Sequence, residues 1–90
     1  ALPMLPLNRE RRARVPPLSV AQLEERFAER CGMLTPRERQ GCARAAAGMS
    51  VDDTAQDLCI ARTSVLTYRR RAYERLDVHS PVELCALVAQ

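Results

Sequence analysis

Five guanidinium groups lie close together in LCIARTSVLTYRRRAYERL, residues 58–76: Arg62, Arg69, Arg70, Arg71 and Arg75, against one acid, Glu74. A guanidinium offers a planar fork of donors that can take two acceptors on one base edge or one phosphate. Threonine hydroxyls add donors for phosphate oxygens, and aliphatic side chains meet thymine methyls. This chemistry holds and reads a polyanion. Bond-breaking chemistry has no equivalent support: the chain has no Ser-His-Asp or Cys-His set, no paired carboxylates on an apolar face and no Gly-rich phosphate loop. His79 is the only histidine, and the cysteines at 31, 42, 59 and 85 form no C-x-x-C pair. No enzyme, cofactor or metal site is therefore expected.

The arginines need an element to aim them. Residues 62–76 contain neither Gly nor Pro, which predicts one helix of about four turns. Projected at about 100° per residue, Val65, Ala72 and Leu76 share one face, with Tyr68 and Tyr73 on its flanks. Thr63, Thr67, Arg70 and Glu74 fall opposite, with Leu66 and Arg71 at the edges of that arc. One side can pack on a core while the other enters a DNA major groove. An Arg-rich face is also what a merely solvated helix shows, so the segment before it decides. There a short amphipathic helix, 51–58, carries Val51, Ala55 and Leu58, and Cys59-Ile60-Ala61 leads on into the arginine helix. A short helix, a tight turn and a longer basic helix make a helix-turn-helix.

The rest of the chain repeats one pattern of helix starts. Ser19, Thr35, Ser50 and Ser80 each precede Gln22, Glu38, Asp53 and Glu83 by three residues, the capping-box spacing, with Pro at the first helical position twice. Helices are predicted at about 20–31, 36–47, 51–58, 62–76 and 81–89, with Gly32 and Gly48 placed for left-handed helix ends. Nothing alternates with a period of two, so the fold class is all-α. Asp52, Asp53 and Asp57 are assigned to the dipole at the start of their helix.

Ninety residues make one small domain with a modest core. The net charge is +3 and every basic residue is Arg, a bias that a GC-rich genome produces without functional cause. Residues 1–17 carry Pro3, Pro6, Pro16 and Pro17 around Arg9, Arg11, Arg12 and Arg14, and read as a flexible linker. Residues 18–33 read as a connecting or accessory helix, and 34–90 as the helix-turn-helix domain. Four scattered thiols suit small core positions in a reducing cytoplasm. No apolar run reaches transmembrane length, and the amino end lacks the order of a signal peptide. The chain begins with Ala, so it is expected to be a piece of something longer, without its sensing part.

From Leu34 to Ala89 the residues resemble the DNA-binding domain of LuxR/GerE-type transcription regulators. The resemblance rests on LTPRE at 34–38, GMS at 48–50, A-x-x-L-x-I at 55–60 and SV at 64–65. It continues with RRRAYERL at 69–76 and V-x-S-x-x-E-L at 78–84. It implies a four-helix domain that binds double-stranded DNA as a homodimer, usually behind a signal-receiving domain; RNA polymerase is a separate candidate partner. The third of those helices would enter the major groove, and the fourth would make the dimer contact. The base-reading positions fall on Leu66, Thr67 and Arg70. Those that hold phosphates fall on Thr63, Tyr68, Arg69 and Arg71, and Arg62 joins them from the first turn. Cys59 stands where the family usually has Gly, Ala61 where it has a Ser or Thr cap, Leu66 where Lys is common and Tyr68 where His is common.

The last helix is apolar nearly all round, with Val82, Cys85, Ala86 and Ala89 on one side and Leu84, Leu87 and Val88 on the other. Leu84, Leu87 and Val88 are the expected dimer contacts. Alternatively, that side packs on helix 20–31 through Val20, Leu23, Phe27 and Cys31. Two other functions compete: the promoter-binding domain of an alternative sigma factor, and a helical protein-interaction module that never meets nucleic acid.

Overall fold

The computed structural model describes residues 18–89, which form five helices and no strand. They are α1 (Val20–Arg30), α2 (Pro36–Ala46), α3 (Val51–Leu58), α4 (Arg62–Leu76) and α5 (Pro81–Val88). The expected linker, 1–17, lies outside the described residues.

Local chemistry starts and stops these helices. Ser19 Oγ accepts from Gln22 N–H at 3.1 Å while Gln22 Oε1 accepts from Ser19 N–H at 2.8 Å. Thr35 and Glu38 make the same reciprocal pair at 3.2 and 3.0 Å, so two orphan amides are satisfied at each start. Ser50 and Ser80 cap α3 and α5 by accepting from Asp53 N–H and Glu83 N–H. At the end of α2, Gly48 turns left-handed, with φ 89°, and Met49 N–H closes back onto Arg44 O at 3.0 Å. Gly32 does not play the corresponding part, since α1 ends at Cys31 with φ −128° and no left-handed residue follows.

The turn of the helix-turn-helix is made by Cys59, at φ 57° and ψ 44°. Ile60 N–H returns to Ala55 O at 3.0 Å and so satisfies a carbonyl at the end of α3. A side chain at that φ crowds its own carbonyl, at a cost of roughly 1–2 kcal/mol. Cys59→Gly should relieve this, less the entropy of a freer unfolded chain, and stabilise by about 1 kcal/mol. A melting curve should rise by about 4–8 °C; no rise would show that the turn is unstrained.

α2 lies at the centre and touches each of the other four helices. Its buried residues are small, Gly41, Cys42, Ala43 and Ala45 beside the capping Glu38, which allows the close approach of its neighbours. Phe27 and Leu23 of α1 fill the space above it, together with Leu84 and Val88 of α5 and Ala72 of α4. Arg44 ties three helices together: its Nη1 lies 2.8 Å from Glu24 Oε2 of α1, and its Nε 2.7 Å from Asp57 Oδ2 of α3. Asp57 thus serves an ion pair at the end of α3, not the dipole at its start.

The face assigned to the dimer is corrected by this packing. Leu84 and Val88 are 0 and 1 % exposed, enclosed by α1 and α2 within one chain, so no second copy can reach them. Arg26 and Arg30 of α1 donate to Val88 O and Leu87 O at 2.8 and 3.1 Å, which fastens α1 over the end of α5. The outward side of α5 presents Val82, 79 % exposed, with Ala86 and Leu87.

All four cysteines are free, and burial pushes the Cys42 thiol up to about 12, with Cys31 and Glu38 adding to the effect. An unfolded chain ionises that thiol near its ordinary 9. Stability from this site is therefore fully present below pH 9 and is lost as pH rises towards 12. Urea midpoints should fall as pH rises from about 9 towards 12 in the wild type, and fall less in Cys42→Ala.

Candidate nucleic-acid interface

α4 is built to show one face and hide the other. Val65 and Ala72, 1 and 0 % exposed, are held against the other helices. Arg62, Thr63, Leu66, Arg70, Arg71 and Glu74 are exposed, and Thr67 and Tyr68 are half-buried. Ala61 starts the helix without a side-chain cap, because a methyl group has nothing to accept with. Thr67 Oγ1 donates back to Thr63 O at 3.0 Å, which leaves its oxygen free to accept.

Two depressions flank this helix. One, of about 170 Å³, is lined by Thr63, Ser64, Thr67, Tyr68 and Arg71. The other, of about 440 Å³, is lined by Arg70, Tyr73, Glu74, Asp77, Val78 and His79. Thr67 therefore shares its flank with Arg71, while Arg70 turns to the side of Glu74. Ser64, to which the family resemblance assigns no DNA contact, lies beside Arg71, as the 100° projection requires.

The arginines divide into three kinds. Arg62 Nε sits 3.2 Å from Asp52 Oδ1 across the exposed starts of α4 and α3. Arg75 Nε sits 3.2 Å from Glu38 Oε1, whose carboxylate is buried in the α2 capping box. Among the described residues neither Arg70 nor Arg71 enters an ion pair, Glu74 included, so their charge remains available to a polyanion.

Arg69 departs from its expected place. It was assigned to phosphate, yet its Nη2 donates to Met49 O at 3.1 Å and its Nε is buried without a hydrogen-bond partner. The reason is geometric: one turn after Val65 and almost one before Ala72, it falls on the inward face of α4. Tyr68 is half-turned inward as well, and a Cβ built on Gly41 would lie 4.0 Å from its own.

A short helix, a left-handed turn and a longer helix with free guanidinium groups on its outer face define a helix-turn-helix domain of the DNA-binding class. The family of bacterial regulatory proteins described as the luxR family (GerE) matches residues 32–88, more than half of the chain. The chain belongs to that family, whose members are DNA-binding transcription regulators and not enzymes. No curated protein and no solved structure matches the chain. Among the described residues no helix is long and apolar enough to cross a membrane, and no group of three or more His, Cys, Asp or Glu is placed to hold a metal ion.

Proposed function

We propose that the chain binds specific double-stranded DNA sites with α4 in the major groove. Leu66, Thr67 and Arg70 meet base edges, while Thr63, Tyr68 and Arg71 hold phosphates. Arg62 joins them by exchanging Asp52 for a phosphate, an exchange favoured by the weakness of an exposed ion pair. The observation that carries this reading is the pair of unpaired, exposed arginines on the outer face of α4, behind a tight turn.

The chain is proposed to act as a two-fold dimer over half-sites about one helical turn apart. With Leu84 and Val88 enclosed, the contact falls to Val82, Ala86 and Leu87 on the outward side of α5. Val82→Glu should remove dimers in analytical ultracentrifugation without loss of helicity, because Val82 supports nothing inside the domain. Unchanged association would refute this face.

The test of the whole reading is salt. Affinity for duplex DNA should fall along a log–log line with a slope of about −0.9 for each phosphate neutralised. A flat dependence would point to a protein-interaction module. Binding seen only beside RNA polymerase core would favour a sigma-like mode.

A further inference from the structure

We propose that Arg69 is a positioning residue, which sets the rotation of α4 about its own axis and so decides which side chains face the bases. The inference rests on the DNA-binding reading above and adds to it a residue that touches no DNA.

The central turns of α4 fully bury only small side chains, whereas Tyr73, Leu76 and the Arg75–Glu38 pair seat its C-terminal end. The fully buried side chains of α4 are Val65 and Ala72, and α2, which it touches, buries Gly41, Cys42, Ala43 and Ala45 beside Glu38. Helices choose their relative orientation by fitting ridges into grooves, and small side chains raise only shallow ridges. The Arg69 side chain rises between Val65 and Ala72 and reaches past α2 to the turn that follows it. There its Nη2 meets Met49 O at 3.1 Å.

That partner is well placed to hold a cation without an acid. Met49 lies just beyond Gly48, where α2 ends and its dipole is negative. Among the described residues Arg69 has no carboxylate within ion-pair distance, so a directional hydrogen bond holds it. Its Nε is enclosed without a hydrogen-bond partner, so that edge of the fork is withheld from a phosphate outside. The guanidinium also lies near enough to Cys42 and Tyr73 to pull against the upward push that burial gives both groups.

The consequence is mechanical. A side-chain tip about 5–6 Å from the helix axis moves about 2 Å when the helix turns by roughly 20°. A bidentate contact with a base edge does not survive that displacement. Contacts with phosphates, which repeat along the backbone and carry no sequence information, tolerate it better.

The experiment compares the wild type with Arg69→Leu, Arg69→Lys and Arg71→Ala on two duplexes, one selected from a randomised pool and one unrelated, across a salt series. Arg69→Leu should lose about tenfold of the preference for the selected duplex, the discrimination of one good base contact. Its affinity for the unrelated duplex and its salt slope should stay at wild-type values, and Arg69→Lys, which can still donate to Met49 O, should recover most of the preference. Equal loss on both duplexes with a slope shallower by about one, as for Arg71→Ala, would make Arg69 a phosphate contact and overturn the proposal. An unchanged preference would overturn it too. Should Arg69→Leu not fold, Arg69→Gln takes its place: it keeps a donor without charge, so retained preference supports the directional bond and equal loss on both duplexes refutes it. A separate reading needs no DNA: in the free protein the Arg69 Nε proton should exchange slowly by NMR, and fast exchange refutes the geometry. A wild type that binds no duplex while that proton stays protected would sink the DNA reading and leave the Arg69 contact standing.

Discussion

Phe27→Ala is expected to lower the unfolding free energy by about 3–5 kcal/mol. Phe27 is 0 % exposed and is the largest of the fully buried side chains. It projects from α1 into the cluster that holds Leu84 and Val88 of α5, so truncation opens a cavity bounded by three helices. Domains of this size hold only about 5–15 kcal/mol in total, so the variant should be close to unfolded at 37 °C. Urea unfolding followed by far-UV circular dichroism gives the number. If α1 were only a connector, the same substitution would leave the midpoint of the remaining helices where it was. The outcome thus decides whether residues 18–31, which precede the family match, belong to the folding unit.

Arg70→Ala is expected to cost about 1–3 kcal/mol on the cognate site and to relax preference at one base pair. Its exposed fork lies one turn beyond Leu66 on the outer face of α4, within reach of the O6 and N7 of one guanine. Arg71→Ala should instead weaken all sequences alike and make the salt slope shallower by about one. The depression that Arg71 shares with Thr63, Ser64 and Tyr68 collects the hydroxyl donors suited to a phosphate. A surface pair between Arg70 and Glu74 would be worth only a few tenths of a kcal/mol, and that pair is not formed. Selections on randomised duplexes with each variant read the difference directly. If Arg71→Ala shifts the selected base and Arg70→Ala does not, the roles are exchanged. Thr67 lining the Arg71 side makes that a real alternative outcome.

Helix starts were legible because their chemistry spans three residues: Ser19 with Gln22, Thr35 with Glu38, Ser50 with Asp53 and Ser80 with Glu83. The tight turn at 59–61 was legible too, between a short helix and a basic one, and the resemblance, with Gly usual at 59, pointed to the left-handed conformation that Cys59 adopts. The exposure of Thr63, Leu66, Arg70 and Arg71 followed from the 100° projection of α4. The same projection sets Arg69 on the inward face, although the family resemblance assigns it to a phosphate, and its bond to Met49 O, twenty residues away in sequence, exists only in the fold.

Local hydrogen bonding and helical period therefore determine where the helices lie and which arc of α4 looks outward. They depend on neighbours a few residues apart, which the order of residues states directly. Which side of α5 is enclosed is a different matter, because Leu84 and Val82 are both apolar and nothing within α5 distinguishes them. α1 makes the choice from some sixty residues away, with Phe27 filling the space over Leu84 and Arg26 bonded to Val88 O. The same holds for Arg44, whose partners Glu24 and Asp57 lie on two other helices. Contacts of that range exist only once the helices have met, because burial and charge pairing are properties of the packed assembly and not of any one segment.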